Sequence, residues 1–147
     1  MRNLLLIIFL LLSSHSAYAC VDIGQSFKAD FDNCMAQAQQ GDVAVQFSLG
    51  FMYSKGNGVT QDYKQAVKWF RKAAEQGDKL SQFYLGNMYD DGQGVTQDYV
   101  LAHMWWNIAA SSGFEAAGTY RDLIAKKMSP SQIEKAQDMA REWTAKH

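Results

Sequence analysis

Apolar positions along residues 42–113 recur at helical spacing inside a longer period. Val45, Leu49, Met52 and Tyr53 fall at i, i+4, i+7 and i+8, one stripe of an amphipathic helix. The run Lys55-Gly56-Asn57-Gly58-Val59-Thr60-Gln61 then carries turn residues that end it. Asp62 follows as an N-cap, with Gln65 placed to complete a capping box. Tyr63, Ala66, Val67, Phe70, Ala73 and Ala74 mark the buried face of a second helix, and Gly77 closes it as a left-handed cap. Gly50 lies inside the first stripe, where it costs about 1 kcal/mol against alanine, so a close approach of a neighbouring helix is expected there.

The whole unit is then written again. Asp42–Gly77 aligns with Asp78–Gly113 without a gap, and 19 of 36 positions are identical. The second copy shows Ser81, Leu85, Met88 and Tyr89, the loop Asp91-Gly92-Gln93-Gly94-Val95, then Tyr99, Ala102, Trp106, Ala109 and Ala110. A period of this length marks a stacked repeat whose units cannot bury their apolar faces alone.

The flanks read as partial units. In residues 20–41, Phe31, Met35 and Ala38 form a helical stripe ending at Gly41, so this stretch is expected to be a half-repeat or cap. After Gly113, Ala117, Tyr120, Ile124 and Met128 continue a helix that has drifted from the repeat. Ser129-Pro130-Ser131-Gln132 then combines an N-cap, a proline at N1 and a capping-box glutamine. The final helix carries Ile133, Ala136, Met139, Ala140 and Trp143, making residues 114–147 a closing helix pair. The expected fold is all-α, with about seven helices and no strand pattern.

Residues 1–19 stand apart. Arg2 precedes an unbroken apolar run of nine residues, Leu4–Leu12, followed by a polar stretch and Ala17-Tyr18-Ala19. This is the layout of a secretory signal peptide, and the run is well below the roughly 20 residues that span a bilayer. The remaining 128 residues are enough for one domain with its own core and carry 13 basic and 15 acidic residues, scattered along the chain. No basic footprint for nucleic acid and no polybasic membrane patch is present, and no transmembrane segment is expected in the mature chain. Two cysteines remain, Cys20 and Cys34. In an exported chain they read as a disulfide, worth roughly 3 kcal/mol for a loop of about 15 residues. The alternative is acylation of Cys20 as a lipoprotein, although Ala17 stands where such sites usually carry leucine.

Together, Gly41-Asp42, Leu49, Gly50 and Tyr53, the loop Gly56, Gly58, Val59, Asp62 and Tyr63, and Ala66, Trp69, Phe70, Ala73, Ala74 and Gly77 resemble the Sel1-like repeat, a tetratricopeptide relative with 36-residue units. The same pattern returns 36 residues on, with Trp106 in place of Phe70. The stretch from Lys127 through Ser129-Pro130 to Ile133 and Ala136 resembles the end cap of many bacterial members. The resemblance implies a right-handed α/α solenoid. Its function would be that of an adaptor for other proteins, exported in some bacterial members and active in envelope assembly or outside the cell. It also brings an alternative, a cysteine-rich branch that binds or slowly hydrolyses β-lactams. That branch carries a disulfide in every repeat, and neither repeat here contains a cysteine.

Candidate chemistry is sparse. Gly56-Asn57-Gly58 and Gly92-Gln93-Gly94 lack the third glycine and preceding strand of a dinucleotide fingerprint. Asp90-Asp91-Gly92 lacks the alternating carboxylates of a calcium loop. His103 is the only histidine outside the signal-like segment and the terminus, and it occupies an apolar position of the repeat. No catalytic, cofactor or metal site is expected. By analogy with tetratricopeptide grooves, the first helix of each unit lines a binding face, which points to Ala44, Phe47, Phe51 and Ser54, then Leu80, Phe83, Asn87 and Asp90, as a groove for a protein or peptide. Positions that differ between the copies, Phe51/Asn87 and Ser54/Asp90 among them, are where a specific partner would be read. The leading expectation is an exported, periplasmic or secreted scaffold without enzyme activity; a lipid-anchored envelope assembly factor is a further alternative.

Overall fold

Aspartates start the helices of both repeats. Asp42 accepts the Val45 N–H, Asp62 those of Lys64 and Gln65, Asp78 that of Ser81 and Asp98 that of Leu101. Each satisfies an N–H that the first helical turn leaves without a partner. The computed structural model describes residues 27–147. Among them are seven helices and no strand: α1 Phe27–Gln39, α2 Val43–Lys55, α3 Tyr63–Glu75, α4 Lys79–Asp91, α5 Tyr99–Ser111, α6 Glu115–Ala125 and α7 Pro130–Lys146. The segment read as a signal peptide, and Cys20, lie outside the described residues.

The loop shared by the two copies is a set of local hydrogen bonds. Gln61 Nε2 donates to the Ser54 carbonyl at 2.9 Å and Gln97 Nε2 to the Asp90 carbonyl at 2.7 Å, closing the exposed C-terminal ends of α2 and α4. The Asp62 and Asp98 N–H groups donate back to the Tyr53 and Tyr89 carbonyls, both at 2.9 Å. That is why Gln61-Asp62 recurs intact as Gln97-Asp98. The loop is also packed against its neighbour: a Cβ at Gly94 would overlap the Tyr63 carbonyl at the start of α3. At the far end, Ser129 and Gln132 form a reciprocal capping box, the only complete one among the described helices.

Each repeat is a helical hairpin, α2 on α3 and α4 on α5, and the hairpins stack through α3 and α4. The crossing inside each hairpin runs over a glycine, as its place in the stripe predicts. A Cβ at Gly50 would sit 2.6 Å from Phe70 Cδ1, and one at Gly86 would overlap Trp106 Nε1 more closely still. Both rings are buried, with Leu49, Leu85, Val45 and Trp69 also sealed in the core. The closing pair departs from this pattern. Helices α6 and α7 both pack on α5 rather than chiefly on each other, while Ala117, Ile124, Met128 and Ala136 meet in one apolar cluster beneath them. Trp143 of α7 meets Trp105 edge to face at 5.8 Å, which ties the last helix to the second repeat.

The glycine crossings set helix propensity against packing. Gly50→Ala and Gly86→Ala each gain about 1 kcal/mol of helix propensity but force a buried ring to move, which costs about 1–3 kcal/mol in a tight core. Urea titration is expected to show net destabilisation for both. Gly86→Ala should be the larger, because hydrogen bonds from Trp106 hold its ring in place. Stabilisation of either variant would show that the ring yields freely.

Candidate functional site

The first helix of each unit places the groove residues at different depths. Ala44 is exposed, Leu80 is 37 % exposed, and Phe47, Phe51, Phe83, Asn87 and Asp90 are half-buried, while Ser54 is buried. The Ser54 hydroxyl donates back to the Phe51 carbonyl at 2.8 Å, so it faces its own helix and not a ligand. Burial, with Asp91 beside it, raises the Asp90 carboxyl above its usual pKa against the opposing charge of Lys127.

The three phenylalanines belong to one connected set of rings. Phe47 lies 6.4 Å from Phe51, 5.8 Å from Phe70 and 5.8 Å from Tyr84. Tyr84 stacks on Phe70 at 5.1 Å and meets Phe51 at 6.0 Å and Phe83 at 5.7 Å. Phe83 then reaches Phe114 at 5.0 Å and Tyr120 at 5.1 Å. The rings therefore run from α2 through α4 to α6, at separations where aromatic pairs attract beyond their burial. The outer part of this surface stays in water, with Tyr120 45 % and Leu123 53 % exposed.

Tyr84 and Leu123 lie outside the groove expected from the sequence, and Tyr120, expected in the apolar stripe of α6, is instead 45 % exposed; the repeat register carries the signal for each. Tyr84 and Tyr120 continue the position of Ser48, and Leu123 continues that of Phe51 and Asn87. Comparing Ser48 with Tyr84 within the repeats, and following the 36-residue register past Gly113 into α6 for Tyr120 and Leu123, finds them.

Asn87 has an internal task. Its Oδ1 accepts Trp106 Nε1 at 3.1 Å, and the same N–H reaches the Phe83 carbonyl at 3.2 Å. The first repeat has Phe51 and Phe70 at these two positions, with neither donor nor acceptor. The Phe51/Asn87 difference thus accompanies the Phe70/Trp106 difference: an indole over the glycine brings an N–H that needs an acceptor.

His103 is buried in α5. Burial, with a smaller push from Arg121 and an opposing pull from Asp122, lowers its pKa and favours the neutral imidazole. Arg121 is held by Asn107 at 3.0 Å and by Asp122 at 2.8 Å. Among the described residues no group of three or more His, Cys, Asp or Glu side chains is placed to hold a metal ion, and no helix is long and apolar enough to cross a membrane. What this face offers chemically is aromatic and apolar contact, edged by Lys55, whose Nζ lies 6.0 Å over the Phe51 ring.

Two stacked helical hairpins with a half-exposed aromatic face define an α/α-solenoid repeat protein. The chain is a Sel1-repeat protein: the Sel1 repeat matches residues 43–78 and 79–114. The chain is 38 % identical over 56 residues to the secretory immunoglobulin A-binding protein EsiB of Escherichia coli O6:H1, a match covering 38 % of this chain and 11 % of that protein. A protective antigen of uropathogenic Escherichia coli with an SLR fold superposes with a TM-score of 0.75 at 34 % identity, over 82 % of this chain and 27 % of the antigen. A Sel1 repeat protein of Oxalobacter formigenes gives 0.66 at 29 % identity, over 76 % and 46 %. This chain therefore spans less than half the length of each of these relatives.

The Asn87–Trp106 bond is tested by a double-mutant cycle. Asn87→Leu is expected to cost about 1 kcal/mol in the natural background and much less beside Trp106→Phe, measured by urea unfolding. Equal costs in both backgrounds would remove the coupling.

Proposed function

We propose that this protein is an exported, non-enzymatic scaffold that binds a protein or peptide on the face of α2, α4 and α6. The observation that carries the reading is the half-exposed ring set running across three helices, from Phe51 and Tyr84 to Tyr120, with Leu123 exposed on the same helix as Tyr120. Large rigid side chains on neighbouring elements suit a helix or extended segment that places its own apolar groups between them. The groove assigned from sequence is narrowed accordingly. Phe47, Phe51 and Phe83 supply its apolar wall, Ala44 and Leu80 lie at the surface beside them, and Asp90 provides a carboxyl at the edge. Asn87 and Ser54 act mainly inside the fold. Sel1 repeats as interaction modules, and an EsiB whose name records binding to secretory immunoglobulin A, support a protein ligand. Export is supported by the basic, apolar and small-residue order of residues 1–19.

The Cys20–Cys34 bridge belongs to the same reading. Cys34 is 1 % exposed, sits in the apolar cluster of α1, α2 and α3, and is not a free thiol. Intact mass of the native protein before and after reduction is expected to show one disulfide; an acyl group on Cys20 would replace this assignment with a lipid anchor.

A photo-crosslinking amino acid placed in turn at Phe51, Tyr120 and the exposed Lys68 of α3 tests the face in its native cells. Positions 51 and 120 are expected to capture the same discrete partner, weakened by Tyr84→Ala, while position 68 does not. Equal capture from all three positions would take the partner off this face.

A further inference from the structure

Two equivalent joints between helices differ by one donor. At the first, Gln46 of α2 is buried, its Nε2 donates to the Ala38 carbonyl at 2.8 Å, and its Oε1 accepts Gln76 Nε2 at 2.8 Å. At the second, Gln82 of α4 is 0 % exposed and donates Nε2 to the Ala74 carbonyl at 3.2 Å, but its Oε1 has no partner. The cause lies in the repeat. The residue 36 positions after Gln76 is Ser112, which has no amide and cannot span the gap. Rotating the Gln82 amide gives no relief, because it would turn Oε1 onto the Ala74 carbonyl.

Around this joint lies a cleft of about 580 Å³ whose wall includes Gln82, Glu75, Ser112, Trp143 and His147. The Trp143 indole and His147 imidazole stack at 4.1 Å with 10° between their planes, and Trp105 meets Trp143 edge to face at 5.8 Å. Glu75 is exposed and forms no ion pair among the described residues. A buried carbonyl oxygen in want of an N–H, a carboxylate and a flat aromatic pair are three complementary features of one kind of group.

We propose that this cleft takes a guanidinium, the arginine side chain of a protein partner. The guanidinium donates to Gln82 Oε1, places its charge by Glu75 and lays its plane on the Trp143–His147 stack. A protein as the source rests on the function proposed above; the guanidinium site does not, and a single residue suffices to test it.

N-acetyl-L-argininamide titrated into the full chain is expected to shift the Gln82 side-chain amide and Trp143 indole NMR signals saturably. N-acetylcitrullinamide, of the same shape without charge, is expected to bind more weakly. Ser112→Gln supplies the missing donor from within, since Ser112 (φ −83°, ψ 7°) shares the backbone geometry of Gln76 (φ −90°, ψ 6°). That variant is expected to raise the thermal midpoint and weaken binding at least about tenfold. Three results would overturn the proposal: no saturable shift in the natural chain, as when a water alone satisfies Gln82; undiminished binding to Ser112→Gln; or equal binding of N-acetyl-lysinamide. Loss of crosslinking at the aromatic face with arginine binding retained would instead refute the partner reading and leave the site standing.

Discussion

An aromatic ring seated on a glycine controls this structure. Phe70 over Gly50 and Trp106 over Gly86 set how closely the helices of each hairpin approach. Without a side chain at the crossing, the backbone of one helix lies directly against the ring of the other. Leu49 and Leu85, next to the glycines, are sealed by the same approach. A glycine in mid-helix sacrifices local stability, so its position is sustained by tertiary packing and not by propensity. Once the crossing is set, the stack through α3 and α4 follows, as does the ring set along α2, α4 and α6.

Above that crossing, hydrogen bonds of two ranges hold the repeat. The local ones, from Gln61 and Asp62 and from their copies Gln97 and Asp98, close one helix and begin the next within a few residues. The longer ones join units, with Gln46 reaching the end of α1 and Gln82 the end of α3. The third unit ends the series, because Gly118 stands where Gln46 and Gln82 stood and has no side chain to reach back. In its place α7 packs on α5 through Trp143, and the solenoid ends on a different contact from the one that built it.

Two surfaces follow from departures between otherwise equal units. Tyr84 and Tyr120, where the first repeat has Ser48, extend the aromatic face beyond the phenylalanines. Ser112, where the first repeat has Gln76, leaves the Gln82 carbonyl without its donor. A perfectly regular array would show neither feature. Both proposed sites thus combine matched residues, Phe47, Phe83 and Gln82, with positions at which the units differ.

The sequence by itself determined the helices, their caps and the repeat, because those depend on groups close along the chain. Asp62 reaches Lys64 and Gln65, Ser129 reaches Gln132, and Gly50 announces a close approach by its place in an apolar stripe. It also put Phe47, Phe51 and Phe83 on the first helix of their units, and the structure joins Phe83 to the other two through Tyr84. Only the tertiary structure decided what each side chain meets across the crossing. Asn87 and Trp106 are 19 residues apart, and Gln46 and Gln76 are 30 apart. Their bonds exist only once the helices stand at one particular angle and depth. Hence Asn87, legible as a difference between the copies, became an internal acceptor, and Gln82, legible only as a matched residue, became the buried acceptor left without a donor at the second joint.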